Sequence, residues 1–591
     1  MNKKYLLTAI NAKYIHSNLA VYTLQSYAKK YGVDVDIAEF TINQQLEDIL
    51  RDIALRKIDV LFISCYIWNI EYVKELVNEF AKIRPDVPVW LGGPEVSFGT
   101  KEFLNKNKNV TGIIVGEGEH TFYELCNFYE THIHTKNIDY SKLNQLDGLA
   151  WRSQDNRITY IPKTKFISMD EIPFCYGELD NFKNRIIYYE SSRGCPFSCS
   201  YCLSSIDKSV RLRSLNLVLE ELQFFIDNRV SQVKFVDRTF NCNHEHAMSI
   251  WKYIFEHDNG VTNFHFEVSA DLLRDDELLI LSKMRPGLVQ LEIGVQSTNE
   301  KTVKEIRRTM NIDKLKRAVA AVKKGKNIHQ HLDLIAGLPD EDYMSFKKSF
   351  DDVYGMKPEQ LQLGFLKVLK GSYMHEIAKA YELLYRDKPP YEVLATRWLS
   401  YEELQKIKLV EEMLEIHYNS GQFLRTLYVL EKKFDSAFDM FLELARFYQN
   451  NGYVNMSYTR IKRLEILYDF ASFVDGDNEP LYRETLLFDL YIREKSKSRP
   501  GWALDSVATG KVVSDAIRSV SKEKRYCHGE YFYYNVKDID LFANENILII
   551  RNPYPLLHVF DYENRSWTQE ATVTVFGNGG HDEDNNRKQT V

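Results

Sequence analysis

Long apolar runs are missing from this sequence of 591 residues. No run of about eighteen apolar residues occurs, so the sequence predicts no transmembrane helix, and the apolar stretch at its start is too short for a signal peptide. Cysteine is also scarce. There are eight cysteines, three of them clustered, which does not fit a disulfide framework. We therefore expect a cytoplasmic protein with reduced thiols.

A strong excess of one charge is absent as well. The net charge of −7, with 27% charged residues, gives no general attraction to nucleic acid. The hydrophobic content of 44% is that of an ordinary globular protein. From the length alone we expect about three or four domains.

The clustered cysteines are the most informative feature that is present. Cys195, Cys199 and Cys202 are spaced C-x3-C-x2-C. Three thiolates on one tight loop can hold three irons of a cubane iron–sulfur cluster and leave the fourth iron open to another ligand. The neighbouring Gly194 and Pro196 suit a loop that folds around a compact inorganic core. The spacing therefore predicts a 4Fe–4S cluster.

A structural zinc site and free thiols are the alternatives to the cluster. Structural zinc is held by four protein ligands. The next cysteine, Cys242, and the nearest downstream histidines, His244 and His246, lie beyond a predicted helix. The missing fourth ligand favours the cluster.

An aromatic residue, Tyr201, precedes the third cysteine, and this segment resembles the cysteine motif of the radical S-adenosylmethionine (SAM) superfamily. The resemblance implies that the amino and carboxylate groups of SAM chelate the open iron. It also implies that an external one-electron reductant, a flavodoxin or a ferredoxin, serves the cluster. One electron from the cluster would cleave SAM to methionine and a 5′-deoxyadenosyl radical.

Apolar runs alternate with amphipathic helical patterns up to about residue 130. This alternation predicts a parallel sheet covered on both faces, here a Rossmann-like (flavodoxin-like) α/β domain over residues 1–135. Ligands of such sheets bind at the carboxyl ends of the strands. The predicted strands are residues 5–10, 35–40, 60–65, 89–91 and 112–115.

The loops at these strand ends carry the second prediction. No G-x-G-x-x-G follows the first strand, which disfavours a nicotinamide or flavin dinucleotide. The Gly-Gly-Pro-Glu segment at 92–95 and the Gly-Glu-Gly-Glu segment at 116–119 instead resemble loops of the cobalamin-binding domain in cobalamin-dependent radical SAM enzymes. The predicted cobalamin contacts are Asn11, His16, Asn18, Leu19, Ser64, Tyr66, Gly92, Gly93, Pro94, Glu95, Gly116, Glu117 and Gly118.

His16 poses a separate question about the lower ligand of cobalt. Cobalamin domains of the methionine synthase type carry Asp-x-His-x-x-Gly after the first strand, and their histidine replaces the lower axial base. The stretch from Tyr14 to Leu19 lacks both the Asp and the Gly. A ligating imidazole normally needs an acceptor that orients it. We therefore expect a cobalamin without a protein lower ligand, and His16 ligation stays open as the alternative.

The segment over residues 185–375, after a connector at 136–184, contains further strand–helix units. Six predicted strands, at 186–190, 233–236, 264–268, 289–293, 331–335 and 362–366, indicate a partial (β/α)6 barrel whose mouth carries the chemistry. Asp237 lies where the superfamily usually has Gly-Gly-Glu, a departure that weakens the match there. By resemblance, the predicted SAM contacts are Phe197, Tyr201, Phe235, Asp237, Glu267, Ser269, Glu292, Gln296 and Ile335.

The rest of the chain shows no chemical motif. Long amphipathic helical patterns predict a helix-rich accessory domain over residues 376–576. The polar tail at 577–591 is predicted to be disordered.

Together these features predict a cobalamin-dependent radical SAM enzyme, and methylation of an unactivated carbon is the reaction that we favour. The layout also resembles the anaerobic cyclase of chlorophyll synthesis, so oxidative ring formation is an alternative. A non-catalytic corrinoid carrier or sensor with a structural cluster is another. No catalytic acid or base, and no substrate, follows from the sequence.

Overall fold

The computed structural model describes residues 4–132, 139–153, 155–454, 456–503, 508–521, 523–539 and 548–577. No helix within these ranges is long and apolar enough to cross a bilayer. The tail predicted to be disordered lies outside the described residues, except for Gly577.

The first sheet is built from strands β1 (Tyr5–Asn11), β2 (Val35–Thr41), β3 (Val60–Ser64), β4 (Val89–Gly92), β5 (Gly112–Ile114), β6 (Leu149–Arg152) and β7 (Ile158–Ile161). The strand order is β2-β1-β3-β4-β5-β6-β7, and the first five are parallel, as in flavodoxin-like folds. This confirms the predicted fold class. Strands β6 and β7 pair antiparallel at the edge, so part of the predicted connector extends this sheet.

Helices cover the first sheet because its central strands are apolar on both faces. Every residue of β1 is buried, as expected for a parallel strand that is covered on each side. The helices of this domain are α1 (Leu19–Lys30), α2 (Leu46–Leu55), α3 (Ile70–Ile83), α4 (Pro94–Ser97), α5 (Thr100–Lys106) and α6 (Glu119–His132). Helix α1 begins where the Asn18 side chain accepts a hydrogen bond from the Val21 N–H, which satisfies one free donor of its first turn.

The second sheet is a partial barrel of six parallel strands in the order β15-β14-β13-β12-β11-β8, as predicted. These strands are β8 (Ile187–Tyr189), β11 (Gln232–Phe235), β12 (Asn263–Val268), β13 (Val289–Gln296), β14 (His329–Ala336) and β15 (Gln360–Phe365). A short hairpin of β9 (Ser192–Arg193) and β10 (Arg211–Leu212) follows β8. The barrel helices are α7 (Leu215–Asp227), α8 (His244–Glu256), α9 (Asp275–Ser282), α10 (Glu300–Glu305), α11 (Ile312–Lys324) and α12 (Tyr343–Tyr354).

Alternation along the barrel strands separates an apolar outer layer from a polar interior. In β13 the buried residues are Val289, Leu291, Ile293 and Val295, every second position. Because successive side chains of a strand point to opposite faces, Glu292 and the other intervening residues face the inside of the barrel.

The two open edges of the barrel are covered by the neighbouring parts of the chain. At the β8 edge, His16 forms a parallel bridge with Ile186, and the Ser17 hydroxyl donates to the Ile186 carbonyl at 3.0 Å. At the β15 edge, Asn419 accepts from the Leu361 N–H at 3.0 Å and donates to the Leu361 carbonyl at 2.8 Å. These contacts pair the backbone of an edge strand that would otherwise be open.

The C-terminal part is mostly helical, as predicted. Its helices are α13 (Tyr373–Ile377), α14 (Tyr401–Met413), which runs into a π-helical turn at Leu414–Asn419, α15 (Leu424–Leu430), α16 (Ala437–Asn450), α17 (Arg460–Val474), α18 (Glu479–Arg493) and α19 (Lys511–Val520). A two-stranded sheet of β16 (Leu384–Tyr385) and β17 (Val393–Ala395) and a three-stranded antiparallel sheet of β18 (Cys527–Tyr534), β19 (Arg551–Asp561) and β20 (Thr572–Phe576) complete it. The sequence also predicts a strand over residues 547–551. Residue 547 lies outside the described residues, and β19 starts only at Arg551.

Candidate active site

The cysteine loop, residues 190–202, leaves the carboxyl end of β8 and is fixed by backbone contacts. Gly194 has φ +92°, and a Cβ at this position would lie 2.2 Å from the Ser209 carbonyl oxygen. The Cys195 N–H donates to the Asp207 carbonyl at 3.0 Å. Only glycine adopts this conformation at such a close approach without strain, so the predicted need for Gly194 has a structural reason.

The three cysteines of the loop meet the requirements of a cluster rather than of a single ion. Cys195 and Cys199 are buried, and Cys202 is partly exposed. Nowhere in the described chain do three His, Cys, Asp or Glu side chains converge on a position for one metal ion. A mononuclear zinc site needs such convergence, whereas in a cubane each thiolate binds a different iron.

Two polar side chains contact the cysteine sulfurs. Arg308 Nη1 donates to Cys199 Sγ at 3.7 Å, and Thr239 Oγ1 lies 3.6 Å from Cys195 Sγ. Burial raises the pKa of Cys199, and the Arg308 charge opposes that rise. Hydrogen bonds to cysteine sulfur are among the features that set the reduction potential of an iron–sulfur cluster. The residues present therefore fit the cluster.

Arg308 is a candidate site residue that the sequence analysis missed. Besides Cys199, it donates from Nη2 to the Gly294 carbonyl at the end of β13, and its Nε is buried without a partner among the described residues. In the sequence, Arg308 is recognisable only as the second residue of an arginine pair after a short helix. Such pairs are common on protein surfaces, so the pattern does not indicate a site. Only the return of the chain to the barrel mouth brings Arg308 to the cysteine loop.

Gln296 lies beside Arg308 at the same end of the barrel. It is in the left-handed region with φ +69°, where β13 shifts its register against β14. Its Oε1 is buried and has no hydrogen-bond partner in the described structure. Non-glycine residues in this region concentrate at functional sites, and an unpaired buried oxygen calls for a ligand. Gln296 therefore fits its predicted contact with SAM.

Two other predicted SAM residues, Glu267 and Glu292, belong to a charged cluster in the barrel interior. Lys234 Nζ donates to Glu292 Oε2 at 2.9 Å, and His265 Nε2 lies 3.0 Å from the same oxygen. Burial raises the pKa of Glu292, but the hydrogen bond with His265 and the Lys234 charge outweigh burial and lower this pKa to about 2. Burial, reinforced by the Glu292 charge, raises the pKa of Glu267 to about 7.

A third interior carboxyl, Asp333, also has a raised pKa. Burial is the main reason that the pKa of Asp333 is raised well above its ordinary value, and the charges of Glu292 and Glu267 add to this. Asp333 Oδ1 lies 3.2 Å from His331 Nε2. Neighbouring carboxyl groups with separated pKa values can divide acid and base roles between them.

The remaining predicted SAM residues are placed differently. The Ser269 hydroxyl donates to Asp271 at 2.8 Å, and the Phe235 ring is fully buried against Phe266. Phe197 and Tyr201 are partly buried on the cysteine loop, and Ile335 is partly buried on β14.

Asp237 supports the cysteine loop. Its carboxylate accepts hydrogen bonds from the Ser191 N–H at 3.0 Å, the Ser191 hydroxyl at 2.7 Å and the Ser192 hydroxyl at 2.5 Å. Burial raises its pKa to about 6 although these bonds oppose the rise. Both oxygens are therefore engaged within the protein, and its contact with SAM stays a prediction.

A cavity of about 840 Å³ lies between the first sheet and the barrel. All the predicted cobalamin contacts line it except Glu95. Glu95 faces away and accepts a hydrogen bond from Tyr391. The strand-end loops identified from the sequence thus form one continuous wall, with Glu95 outside it.

Gly93 lets the two central strand ends of this wall approach each other. It has φ +112°, and a Cβ there would lie 2.4 Å from the Cys65 carbonyl oxygen and 3.1 Å from the Cys65 nitrogen. The Cys65 N–H donates to the Gly92 carbonyl at 2.7 Å. This close approach keeps the wall flat and open, which suits a large planar ligand.

The opposite wall of the cavity comes from the barrel and the cysteine loop. Tyr188, Glu190, Arg193, Leu203, Ser204, Ile206, Asp207, Val236 and Arg238 line it. Glu190 and Arg193 bring the start of the cysteine loop to this cavity, whereas none of the three cysteines and none of the predicted SAM contacts lines it.

His16 lines this cavity and has an orienting partner that the sequence did not reveal. Its Nδ1 lies 2.6 Å from the Tyr188 hydroxyl, on the first barrel strand. Burial and the Lys13 charge lower the pKa of His16, so the neutral imidazole is favoured. The expectation of no protein lower ligand rested on a missing carboxylate, and Tyr188 supplies an equivalent contact. His16 ligation therefore stays an open alternative.

Buried ion pairs connect the Gly-Glu-Gly-Glu loop with the cysteine loop. Arg193 Nη2 donates to Glu119 at 2.5 Å, its Nη1 lies 3.2 Å from Glu117, and its Nε donates to Glu190 at 2.9 Å. Arg211 Nη1 also donates to Glu117, at 3.0 Å. Burial raises the pKa of Glu190, whereas at Glu119 the Arg193 charge outweighs burial and lowers the pKa. These pairs fix one cofactor loop against the other.

Known protein families match the chain in three separate segments, which correspond to the first domain, the barrel and the C-terminal part. The B12 binding domain matches residues 5–126, the Radical SAM superfamily matches residues 189–353, and a protein family of unknown function, DUF4080, matches residues 379–545. The chain thus combines a segment that matches the B12 binding domain with a segment that matches the Radical SAM superfamily. Its cofactors are a 4Fe–4S cluster, SAM and cobalamin.

Curated relatives differ in the reactions that their names state. The anaerobic magnesium-protoporphyrin IX monomethyl ester cyclase of Rubrivivax gelatinosus is 23% identical over 57% of this chain and 61% of its own length. The cobalamin-dependent radical SAM methyltransferase TokK of Streptomyces tokunonensis is 26% identical over 49% of this chain and 44% of its own length. The chain thus covers less than two thirds of either relative.

A solved structure shares the fold. The cobalamin-dependent SAM radical enzyme OxsB, with aqua-cobalamin and SAM bound, superposes with a TM-score of 0.55 at 15% identity. The match covers 82% of this chain and 79% of that one. It therefore includes parts of the chain beyond the first two domains.

Proposed function

We propose that this protein is a cobalamin-dependent radical SAM methyltransferase that methylates an unactivated carbon. The observation that supports this most directly is the shared cavity of about 840 Å³. One of its walls carries the loops expected for cobalamin, and the other includes Glu190 and Arg193, at the start of the loop that carries the three cysteines. A methyl donor in this cavity would therefore lie beside the loop that would hold the radical-generating centre.

Each cofactor would be held by residues with a suitable donor set. Cys195, Cys199 and Cys202 would hold the cluster, while Gln296 and Arg308 offer buried unpaired atoms to SAM. When bound, the cluster supplies the electron that cleaves SAM, and cobalamin supplies a methyl group for a carbon radical.

The protein itself would contribute placement and proton control. The Arg193 ion pairs hold the cysteine loop and the Gly-Glu-Gly-Glu loop at a fixed separation. With a pKa of about 7, Glu267 can give or take a proton at neutral pH, whereas Glu292 remains ionised. Glu267 is therefore a candidate for proton exchange inside the barrel.

The similarity to the cyclase of Rubrivivax gelatinosus supports oxidative ring formation as a second candidate. Both reactions use the same cavity, and the substrate decides between them. Relatives named as methyltransferases, TokK among them, favour methylation.

The experiment uses full-length protein that is anaerobically reconstituted with iron, sulfide and hydroxocobalamin and reduced with dithionite. We expect 5′-deoxyadenosine and S-adenosylhomocysteine from methyl-deuterated SAM in the presence of cell extract, with the label in a product. Deoxyadenosine without S-adenosylhomocysteine or labelled product would contradict methylation and favour cyclisation. No deoxyadenosine at all would favour the non-catalytic corrinoid carrier.

A further inference from the structure

One segment of the chain has a charge opposite to that of the whole. Residues 300–326 contain ten Lys or Arg and three Asp or Glu, a net charge of +7, while the complete chain carries −7. The segment forms α10 and α11 of the barrel. A local positive field on an acidic protein attracts acidic partners to one place.

Eight of the ten cations of this segment are exposed, while Lys323 is buried and Arg308 is partly buried. Lys301 and Lys304 are three residues apart on α10, as are Lys314 and Arg317 on α11, so each pair shares a helix face. All four are exposed, and so is Arg307 between the helices. We call these five residues the basic face. Among the described residues, no carboxylate forms an ion pair with Lys301, Lys304 or Lys314.

The basic face is directly attached to the cysteine loop. The Ile306 carbonyl accepts a hydrogen bond from the Ser200 N–H at 2.8 Å, and Arg308 Nη1 donates to Cys199 Sγ at 3.7 Å. Exposed Arg307 lies between these two residues in sequence. A partner bound here is therefore separated from the cluster cysteines by about one layer of residues.

A second cavity, of about 570 Å³, extends the basic face along the barrel rim. Lys314, Arg317 and Cys242 line it, and it shares no lining residue with the cavity between the first sheet and the barrel. Cys242 ends the short turn that begins after Thr239, whose hydroxyl is 3.6 Å from Cys195 Sγ. The basic face thus approaches the cysteine loop from a side that leaves the cavity between the two sheets free.

The second cavity is lined by three Lys or Arg side chains, Arg274, Lys314 and Arg317, and by two carboxylates, Asp271 and Asp275. The oxygens of Asp271 accept hydrogen bonds from the Ser269 hydroxyl at 2.8 Å and from the Asn311 N–H at 3.0 Å. Asp275 and its sequence neighbour Arg274 are both exposed.

We propose that the basic face is the docking surface for an acidic one-electron carrier protein of the flavodoxin or ferredoxin kind. The proposal rests on the proposed function, because an oxidised cluster there needs an external electron. The carrier loses one electron and the cluster gains one, with no bond formed and no proton transferred. Charge complementarity raises the rate of such encounters by about tenfold to a thousandfold, and salt weakens it.

The test compares two charge-reversed variants of the full-length reconstituted protein, K301E/K304E and K314E/R317E. A purified bacterial flavodoxin, fully reduced, is mixed with each protein, and loss of cluster absorbance gives the second-order rate constant. Calorimetric titration with flavodoxin gives the affinity without any turnover. We expect both quantities to fall by about tenfold or more in each variant at low salt, and the wild-type rate to fall as salt rises.

The matched control is K57E/K82E, which reverses two exposed lysines of the first domain, between α2 and β3 and on α3. It should bind flavodoxin like the wild type, and dithionite should reduce the cluster equally fast in all four proteins. K314Q/R317Q, with a smaller expected loss, replaces any charge-reversed variant that circular dichroism shows to be misfolded. Equal flavodoxin rates in control and test variants would overturn the proposal.

Two further results would change the assignment of the basic face or of the reaction. If the variants lose affinity for total tRNA but keep their affinity for flavodoxin, the basic face is a nucleic-acid surface and the proposal is wrong. If dithionite-reduced wild type binds flavodoxin but does not cleave SAM, the proposed function fails while the docking surface stands.

Discussion

Gly93→Ala is the substitution for which the structure gives the clearest expected effect on cobalamin binding. Gly93 has φ +112° and ψ 171°, a region that is nearly restricted to glycine, and holding alanine there costs about 1–3 kcal/mol. The added Cβ would also lie 2.4 Å from the Cys65 carbonyl oxygen. The Cys65 atoms that the new Cβ would contact belong to the backbone, so rotation of a side chain cannot relieve the clash.

We expect the free protein to relieve this conflict by separating the ends of β3 and β4. Cobalamin would then have to restore the native wall, and the cost of at least about 2 kcal/mol would appear as weaker binding. This corresponds to roughly thirtyfold in Kd. The assay is an equilibrium titration of the full-length protein with hydroxocobalamin, followed by visible absorption and by quenching of tryptophan fluorescence.

Gly99→Ala is the matched control. Gly99 also has a positive φ, +67°, but a Cβ there meets no heavy atom within 4 Å. Gly99→Ala therefore carries the smaller cost of a left-handed helical conformation and lacks the clash. Equal hydroxocobalamin affinity in the Gly93→Ala, Gly99→Ala and wild-type proteins would refute the placement of cobalamin against this wall.

Three other predictions concern the cluster, the buried ion pairs and pH. Cys199→Ala should abolish the iron–sulfur absorption or leave a cluster that does not bind SAM, whereas Cys527→Ala should do neither. Iron analysis and a SAM-binding assay measure this. Wild-type iron content and wild-type SAM binding in the Cys199→Ala protein would contradict the cluster assignment. Arg193→Met should lower the thermal unfolding midpoint, because it leaves buried carboxylates unpaired at a cost of about 3–5 kcal/mol. Adding Glu119→Gln should restore part of the lost stability. Strict additivity of the two single-variant stability changes in the double variant would count against the pairing. Burial raises the pKa of Glu267 to about 7, so the folded state holds this proton more tightly than the unfolded state does. The stability that this proton contributes is fully present below about pH 4.5 and is lost as the pH rises through 7. The cofactor-free Glu267→Gln protein should therefore lose less stability than the wild type between pH 5 and pH 8 in urea titrations, and equal losses would show that Glu267 is not buried as described.

Local patterns in the sequence predicted the cluster cysteines and determined the two sheets. The spacing of Cys195, Cys199 and Cys202 predicts cluster ligation because the ligands come from one short loop. Strand–helix alternation predicted both parallel sheets, since the period of apolar residues is a local property. The cobalamin-side loops could be predicted for the same reason: in a parallel sheet, strand ends that are distant in sequence meet at one edge.

Contacts between segments that are distant in sequence were decided only by the tertiary structure. The interpretation of His16 from the sequence lacked an orienting partner, and Tyr188 provides it across 172 positions. Arg308 reaches Cys199 across 109 positions, and Arg193 reaches Glu119 across 74. No local pattern encodes such pairs, because each depends on how two separately formed elements pack.

The side chains of Asp237 and Glu95 show the same limit. Both lie at strand ends where ligands are expected, but Asp237 accepts three hydrogen bonds from the cysteine loop, and Glu95 accepts one from Tyr391. The backbone position of a residue follows from the alternation of strands and helices. The partner of a buried carboxylate is the donor that packing brings nearest, because a buried charge is stable only when it is paired or hydrogen-bonded. The sequence by itself therefore determined which strand-end loops meet at one edge of the sheet, and the tertiary structure decided which of their side chains line the cavity.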